Sequence, residues 1–204
     1  MVFFAASWVI TAVGWVIHVF VDRHPDKRTG HRVLELFLLW MLVVTGVFAI
    51  IGGLGHISGL SQELAVQIGY APSMFQWEVG WGDIALGVLL VMVAKPNFRD
   101  GWLTAAVVVL AVQYGGDAIG HIMQLTAHNN TAPSNVWAIP SDIAQPVIAI
   151  VVLLAYRRGQ HRLAESKRGA VDSQGAQEGD PSKWPKLSFA HSQWKVVFPG
   201  QKLS

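Results

Sequence analysis

The chain has 204 residues, of which 52% are hydrophobic and 14% charged, with a formal net charge of +2. Soluble domains carry about 25% charged residues, so this composition is typical of a membrane protein with one compact domain. The absence of cysteine excludes disulfides, thiolate metal sites, iron–sulfur clusters and covalently attached c-type haem.

Five long apolar segments follow one another along the chain. They cover residues 1–20, 33–55, 74–94, 102–125 and 139–156. Each has roughly the 20 residues that a 30 Å hydrocarbon core requires. The first segment has no basic residue before Arg23, so we interpret it as an uncleaved transmembrane helix and not as a signal peptide. The predicted fold class is all-α, an integral membrane bundle of five transmembrane helices.

The connections between these segments carry helix-breaking signals. Residues 58–73 are polar, with a short helix predicted at about 63–68. Pro96 ends the third segment because proline cannot continue a helix. In the fifth segment, Pro140 suits a first helical turn and Pro146 predicts a kink.

The residues after 157 are polar and basic, with aromatic side chains among them. We therefore predict two parts, a transmembrane domain at 1–157 and a mostly irregular cytoplasmic tail at 158–204. The tail is too small to form its own core, so we expect its aromatic segment, residues 183–200, to lie on the membrane surface or to dock on a partner protein.

The positions of the basic residues predict the orientation. Four lie between the first two apolar segments, two between the third and fourth, and nine from Arg157 onward. With five spans these three regions face the same side, which the positive-inside rule places in the cytoplasm. We therefore expect a bacterial cytoplasmic (inner) membrane protein with its N-terminus outside and its C-terminus inside. Anionic lipid or protein, and not nucleic acid, is the expected partner of the basic tail.

Ionisable residues recur at the outer ends of the predicted helices. At 1.5 Å per residue, those on helices two to five lie about 17–30 Å from the cytoplasmic ends. The candidate metal ligands are Asp117, His121, Glu78 and Asp142, with Asp83 and His56 as possible further ligands. Glu78 and Asp83 are five residues apart, so we expect only one of them to face a shared site. No Lys or Arg is expected on that side to neutralise these acids.

Several interpretations of this cluster remain open. Buried carboxylates find donors, take up protons or bind a cation. A carboxylate and imidazole set suits a divalent transition metal (iron, manganese or zinc), although the familiar di-iron spacing is absent. A hydrogen-bonded structural network, a proton-coupled transport site and a small-molecule pocket are the alternatives. A b-type haem between His56 and His121 is also compatible with the sequence.

Helical spacing groups further residues. Asp117 and His121 are four apart and share a face, and Gly116 and Gly120 have the same spacing, which predicts close approach of a neighbouring helix there. Near the inner ends of the first two helices, His18 is predicted to pair with Glu35.

Several short segments resemble a family of small uncharacterised bacterial multi-pass membrane proteins. These segments are FQWEVG at 75–80, LGVL at 86–89, GDAIGH at 116–121, Asn129, Pro133 and Asp142-Ile143. The resemblance covers the five predicted helices and not the tail. It implies the same number of spans and draws attention to Glu78, Asp117 and His121, but it implies no reaction.

The chain has no recognised catalytic motif, so no catalytic residue is assigned and enzymatic activity is left open. We expect a non-catalytic subunit of a larger membrane assembly, which contacts its partner through the tail and through small-residue helix faces. The alternative is a small metal-dependent membrane enzyme, or a cation- or proton-coupled transporter, that uses the outer cluster.

Overall fold

The structure is a computed structural model that describes residues 2–98 and 101–177, and these residues form helices and no strand. The helices are α1 (Val2–Val21), α2 (Gly30–Ile57), α3 (Ser61–Ile68), α4 (Phe75–Val91), α5 (Gly101–Ala127) and α6 (Pro133–Gln177). Two short 3₁₀ turns, Met92–Ala94 and Pro96–Phe98, follow α4.

Five helices of the described chain are long and apolar enough to cross a membrane. They are Val2–Val21, Gly30–Ile57, Phe75–Ala94, Gly101–Ala127 and Pro133–Ala170. For the described residues, the prediction of an all-helical fold with five such helices is therefore confirmed. Many of their large apolar side chains point away from the protein interior, as Val9, Val112 and Val151 do, and these surfaces suggest contact with lipid.

The ends of some helices differ from the prediction. The short helix α3 is where the sequence predicts it, and Gly69 ends it in the left-handed conformation with φ 86°. Helix α6 begins at Pro133, six residues before the predicted position, because this proline occupies its first turn. Pro140 therefore lies inside the helix, and its prediction as a first-turn residue is wrong.

The chain divides into two units, Met1–His161 and Arg162–Ser204. Residues 158–177, which we predicted as part of a mostly irregular tail, are helical. Their Ala, Arg, Gln, Glu and Lys residues are good helix formers, which accounts for the difference. The aromatic segment at 183–200 lies outside the described residues.

Apolar side chains from four helices form the core of the first unit. The fully buried members include Leu38 and Leu42 on α2, Leu90 on α4 and Leu110 on α5, and Ala149 joins them from α6. The core fills the part of the bundle toward the α1–α2 loop.

Glycines bring α2 and α4 into contact at two places seven residues apart. A Cβ atom on Gly46 would meet the carbonyl oxygen of Gly87, and one on Gly53 would meet that of Gly80. In the same way, a Cβ atom on Gly80 would meet the carbonyl oxygen of Gly53, and one on Gly87 would meet that of Gly46. The backbones of the antiparallel pair therefore touch directly, in the manner of small-residue interfaces in membranes.

Helix α1 packs on α2 through a tryptophan. The ring of Trp40 lies where a Cβ atom of Gly14 would be. Its Nε1 donates a hydrogen bond to Nδ1 of His18 at 3.0 Å. The predicted pairing of His18 with Glu35 is therefore wrong, because Glu35 accepts a hydrogen bond from Arg32 at 2.8 Å and His18 is committed to the indole.

A buried ion pair joins the start of α2 to the end of α1. The Arg32 guanidinium donates to both carboxylate oxygens of Asp22, at 2.8 and 3.2 Å. Thr29 caps the same helix end by accepting a hydrogen bond from the Arg32 amide. The hydrogen bond from Arg32 lowers the pKa of Asp22 from 3.8 to about 2.

The glycine contact gives a first test with neighbouring variants. We expect Gly53→Ala to lower the free energy of unfolding by roughly 1–3 kcal/mol, because the added methyl group overlaps the Gly80 carbonyl. Gly52→Ala is the control, since nothing lies within 4 Å of its Cβ position. There we expect no loss, or a gain of up to about 1 kcal/mol from helix propensity. Denaturant unfolding in detergent measures both, and equal effects would contradict the interface.

The Asp22 ion pair gives a pH-dependent test. Because the folded pKa lies below the unfolded value, the stabilisation is complete above about pH 4 and is lost as the pH falls through about 2. We expect Asp22→Asn to lower the free energy of unfolding by roughly 1.5–3 kcal/mol at pH 6. The difference from the unmodified protein should shrink between pH 4 and 2. A difference independent of pH over this range would assign the effect to packing and not to charge.

Candidate functional site

A polar cavity of about 320 Å³ lies where α2 and α5 end and α4 begins. Helices α2, α4 and α5 supply its carboxylate, imidazole and amide side chains. These are His56, Gln76, Asp83, Gln113, Asp117 and His121. None of the described residues that line the cavity is Lys or Arg.

The four-residue spacing on α5 places three polar side chains in the wall. Gln113, Asp117 and His121 follow one another at successive turns of one face. Gly116 and Gly120 also line the cavity, and no atom lies within 4 Å of a Cβ position on either. The prediction that these two glycines pack against a neighbouring helix is therefore wrong. Their missing side chains widen the cavity instead.

Two carboxylates belong to the wall and a third does not. Asp117 accepts hydrogen bonds from Gln113 Nε2 at 3.3 Å to each oxygen. Asp83 reaches the same cavity from α4. Glu78 is exposed and does not line the cavity, because five residues along a helix turn the chain away from the face of Asp83.

Hydrogen bonds fix the ring of His121. Asn135 is fully buried, and its Nδ2 donates to the carbonyl oxygens of His121 and Asn130, at 3.2 and 3.1 Å. The Oδ1 atom of Asn135 is therefore the atom that faces Nδ1 of His121, at 2.7 Å. Because an amide oxygen only accepts, Nδ1 carries the proton in this arrangement. In the neutral ring, Nε2 is then left with a lone pair.

Asp142 lies behind His121 and not in the cavity wall. Its Oδ2 is 3.8 Å from Nε2 of His121, and the residue is 7% exposed. Next to it, Ser141 accepts from Gln145, which accepts from Thr45 of α2. The polar groups thus continue from the cavity into the space between α2 and α6.

On the opposite wall, His56 and Gln76 join α2 to α4. Their Nδ1 and Oε1 atoms are 2.6 Å apart. The glycine contacts set this pairing, because His56 is three residues beyond Gly53 and Gln76 is four residues before Gly80. Gln76 is 8% exposed, so its amide depends on this contact.

Aromatic side chains complete the wall. Tyr70, from the segment before α4, and Phe75 both line the cavity. Burial raises the pKa of Tyr70, and the Asp117 carboxylate raises it further. Tyr70 therefore keeps its proton and faces the acidic groups as a neutral ring.

The candidate metal ligands are only partly brought together. His56, Asp83, Asp117 and His121 line one cavity, with Asp142 beside His121 and Glu78 elsewhere. Within the described residues, no group of three or more His, Asp or Glu side chains is close enough to hold a metal ion. Any metal at this site requires the side chains to move closer together.

Sequence reasoning missed the neutral members of the site. Gln113 precedes Asp117 by four residues, so helical spacing alone could have identified it. Gln76 and Asn135 left no such signal, because the first lies at a predicted helix end and the second lies between two predicted helices.

A family model described as a family of unknown function (DUF6790) matches residues 1–162. The chain belongs to this family. The matched DUF6790 region includes every residue of the cavity. No curated protein and no solved structure matches the chain. The expected resemblance to an uncharacterised family is thus confirmed. Because the function of DUF6790 is unknown, membership in it assigns no activity to the chain.

The role of Asn135 can be tested by stability. Asn135→Leu keeps the number and branching of the side-chain heavy atoms but leaves the His121 ring and two backbone carbonyls without their partner. We expect the free energy of unfolding to fall by at least about 3 kcal/mol, because three groups lose a partner at about 1–3 kcal/mol each. Asn97→Leu, at an exposed position outside the cavity, is the control and should change it by less than about 0.5 kcal/mol. Equal losses would show that Asn135 does not hold the site.

Proposed function

We propose that this chain is a multi-pass protein of the bacterial cytoplasmic membrane that binds a small organic cation in the polar cavity. The N-terminus and the cavity face outward and the basic C-terminal region faces the cytoplasm. The distribution of basic residues along the sequence supports this orientation, since all fifteen belong to the connecting or terminal segments that a five-span topology assigns to one side.

The single observation that carries the proposal is the charge of the cavity wall. Asp83 and Asp117 lie there on two different helices, and the described lining residues include no Lys or Arg. A carboxylate removed from water costs several kcal/mol unless a donor or cation compensates it. Gln113 supplies hydrogen bonds to Asp117 but no charge. A bound cation would supply the charge that the protein lacks here.

The shape and lining of the cavity favour an organic cation over a bare metal ion. Its volume of about 320 Å³ lies at the small end of ligand pockets. Tyr70 and Phe75 offer aromatic rings, which attract ammonium groups through their faces. The described residues include no cluster of three metal-binding side chains. An amine that pairs with the two carboxylates and packs on the rings uses each of these features.

Access to the site is expected from one side only. Beyond Asp83 and Gln113, the bundle is filled by buried apolar side chains such as Leu86, Leu90 and Leu110. This arrangement supports a binding site, or one state of a transporter, in preference to an open channel.

Two earlier expectations stay predictions. A subunit role depends on a tail whose aromatic segment lies outside the described residues. A metal-dependent enzyme would need the candidate ligands to converge, with Glu78 brought in from an exposed position.

The test is ligand-dependent stabilisation of the purified protein in detergent. Ethanolamine, putrescine and tetramethylammonium chlorides are compared with NaCl, MnCl₂ and ZnCl₂ at matched ionic strength. We expect an organic ammonium ion at 100 times its Kd to stabilise the fold by about 2.7 kcal/mol. Asp83→Asn and Asp117→Asn should each weaken the affinity for the ammonium ion at least ten-fold, because each removes one cavity charge.

Glu78→Gln is the matched control, since it removes a carboxylate of α4 that is exposed and outside the cavity. It should leave the affinity unchanged. Stabilisation by the metal salts alone, with near-stoichiometric metal in elemental analysis, would replace the organic cation with a metal. No stabilisation by any of these ions, or an equal loss in Glu78→Gln, would overturn the proposal.

A further inference from the structure

The roof of the cavity is a short segment with little apolar packing of its own. It consists of residues 68–74, from the last residue of α3 to the residue before α4, and Ile68 and Tyr70 face the cavity. Its other residues from Gly69 to Met74 are exposed. By contrast, α3 is anchored by Ala65, which is fully buried. The position of the roof therefore depends on its polar contacts.

One side chain from another loop supplies such contacts. Asn130, between α5 and α6, donates from Nδ2 to the carbonyl oxygen of Ile68 at 2.9 Å and of Gly69 at 3.4 Å. Its Oδ1 accepts from the amide of Ala132 at 3.1 Å, which sets the orientation of the carboxamide. The loop before α6 is thus bonded directly to the roof.

The roof is shaped to receive this side chain. Gly69 has φ 86°, a backbone conformation that residues other than glycine adopt only at a cost in free energy. A Cβ atom there would also collide with the carboxamide of Asn130. Both features need glycine at 69, so the roof and the Asn130 side chain fit closely together.

The same contact is connected to the wall of the cavity. Asn135 donates to the carbonyl oxygen of Asn130 and also holds the ring of His121. Hydrogen bonds therefore connect His121 to Asn135 and Asn135 to the carbonyl oxygen of Asn130. The side chain of Asn130 is in turn bonded to the backbone of Ile68. A change at the cavity wall has a direct route to the roof.

We propose that Asn130 is the positioning residue that holds the roof over the cavity and so limits the entry of solutes. Gly69 and Tyr70 also bond back to α3, and Ser73 and Met74 accept bonds from the start of α4. Releasing the two hydrogen bonds of Asn130 would therefore leave the roof held only through its two ends, while α3 remains anchored through Ala65. The proposal concerns entry to the cavity and holds for any solute, so it does not depend on the organic cation.

The test uses the absence of native cysteine, which makes single-cysteine labelling unambiguous. Val79→Cys places a thiol in the cavity wall, and Gln67→Cys places one at an exposed position of α3 as the accessible reference. A neutral, water-soluble methanethiosulfonate reagent is applied to the full-length protein in detergent, and the labelling rates are measured by mass spectrometry. With Asn130 intact, we expect Val79→Cys to react at least ten-fold more slowly than Gln67→Cys.

Asn130→Asp keeps the size of the side chain but removes the donor. In that background the labelling of Val79→Cys should become roughly ten-fold faster, the factor expected when hydrogen bonds worth about 1.4 kcal/mol are lost. The Gln67→Cys rate should not change. Asn129→Asp is the matched control, because it introduces the same charge at the adjacent exposed residue, and it should leave both rates unchanged.

Asn130→Ala, which removes the donor without adding charge, repeats the measurement if Asn130→Asp does not fold, and it should give the same acceleration. Two results would overturn the proposal. One is labelling of Val79→Cys as fast as Gln67→Cys while Asn130 is intact. The other is an unchanged Val79→Cys rate in a folded Asn130 variant. Ligand stabilisation plays no part in these measurements, so they can succeed or fail separately from the cation proposal.

Discussion

Direct backbone contact between α2 and α4 is the constraint on which the rest of the structure depends. Gly46 of α2 faces Gly87 of α4, and Gly53 faces Gly80. In each pair, the carbonyl oxygen of one glycine occupies the space that a Cβ atom of the facing glycine would need. A side chain at any of the four positions would separate the helices. The contact sets both the distance and the register of the pair, and the register then brings His56 to Gln76 at one wall of the cavity.

The two ends of the first unit use polar residues in different ways. At the α1–α2 end, the Asp22 carboxylate has its own guanidinium partner in Arg32. At the cavity end, Asp83, Asp117 and Asp142 are accompanied by amides and imidazoles, and no Lys or Arg lines the cavity within the described residues. Paired charges stabilise the first end as a closed structural contact. At the second end, the carboxyl groups lie beside an open volume and have no Lys or Arg among the described lining residues, and the proposed binding site rests on this difference.

Neutral side chains organise that second end. Asn135 is fully buried and holds His121 on one side and the Asn130 carbonyl on the other, while Asn130 reaches the roof. Amides suit this role because each offers donors and an acceptor at once and carries no charge that would have to be desolvated. His56, Asp117 and His121 are thus oriented by amides that do not titrate.

The amino-acid sequence alone determined the all-helical class, the five apolar helices and the short helix α3, because these follow from local composition and from the length of each apolar run. It also identified the charged residues of the cavity, since ionisable groups are rare in such helices. Local pattern could not decide which glycines pack. Gly116 and Gly120 border open space, while the interface is formed by glycines for which no packing was predicted, namely Gly46, Gly53, Gly80 and Gly87. Local pattern could not decide whether Glu78 or Asp83 faces the cavity, because the direction in which a helix face points is set by its contacts with other helices. It could not identify Asn135 and Asn130 as site residues either, because their contacts join segments that are distant in the sequence. Only the tertiary structure decided these points, since they depend on which surfaces the packed helices present to one another.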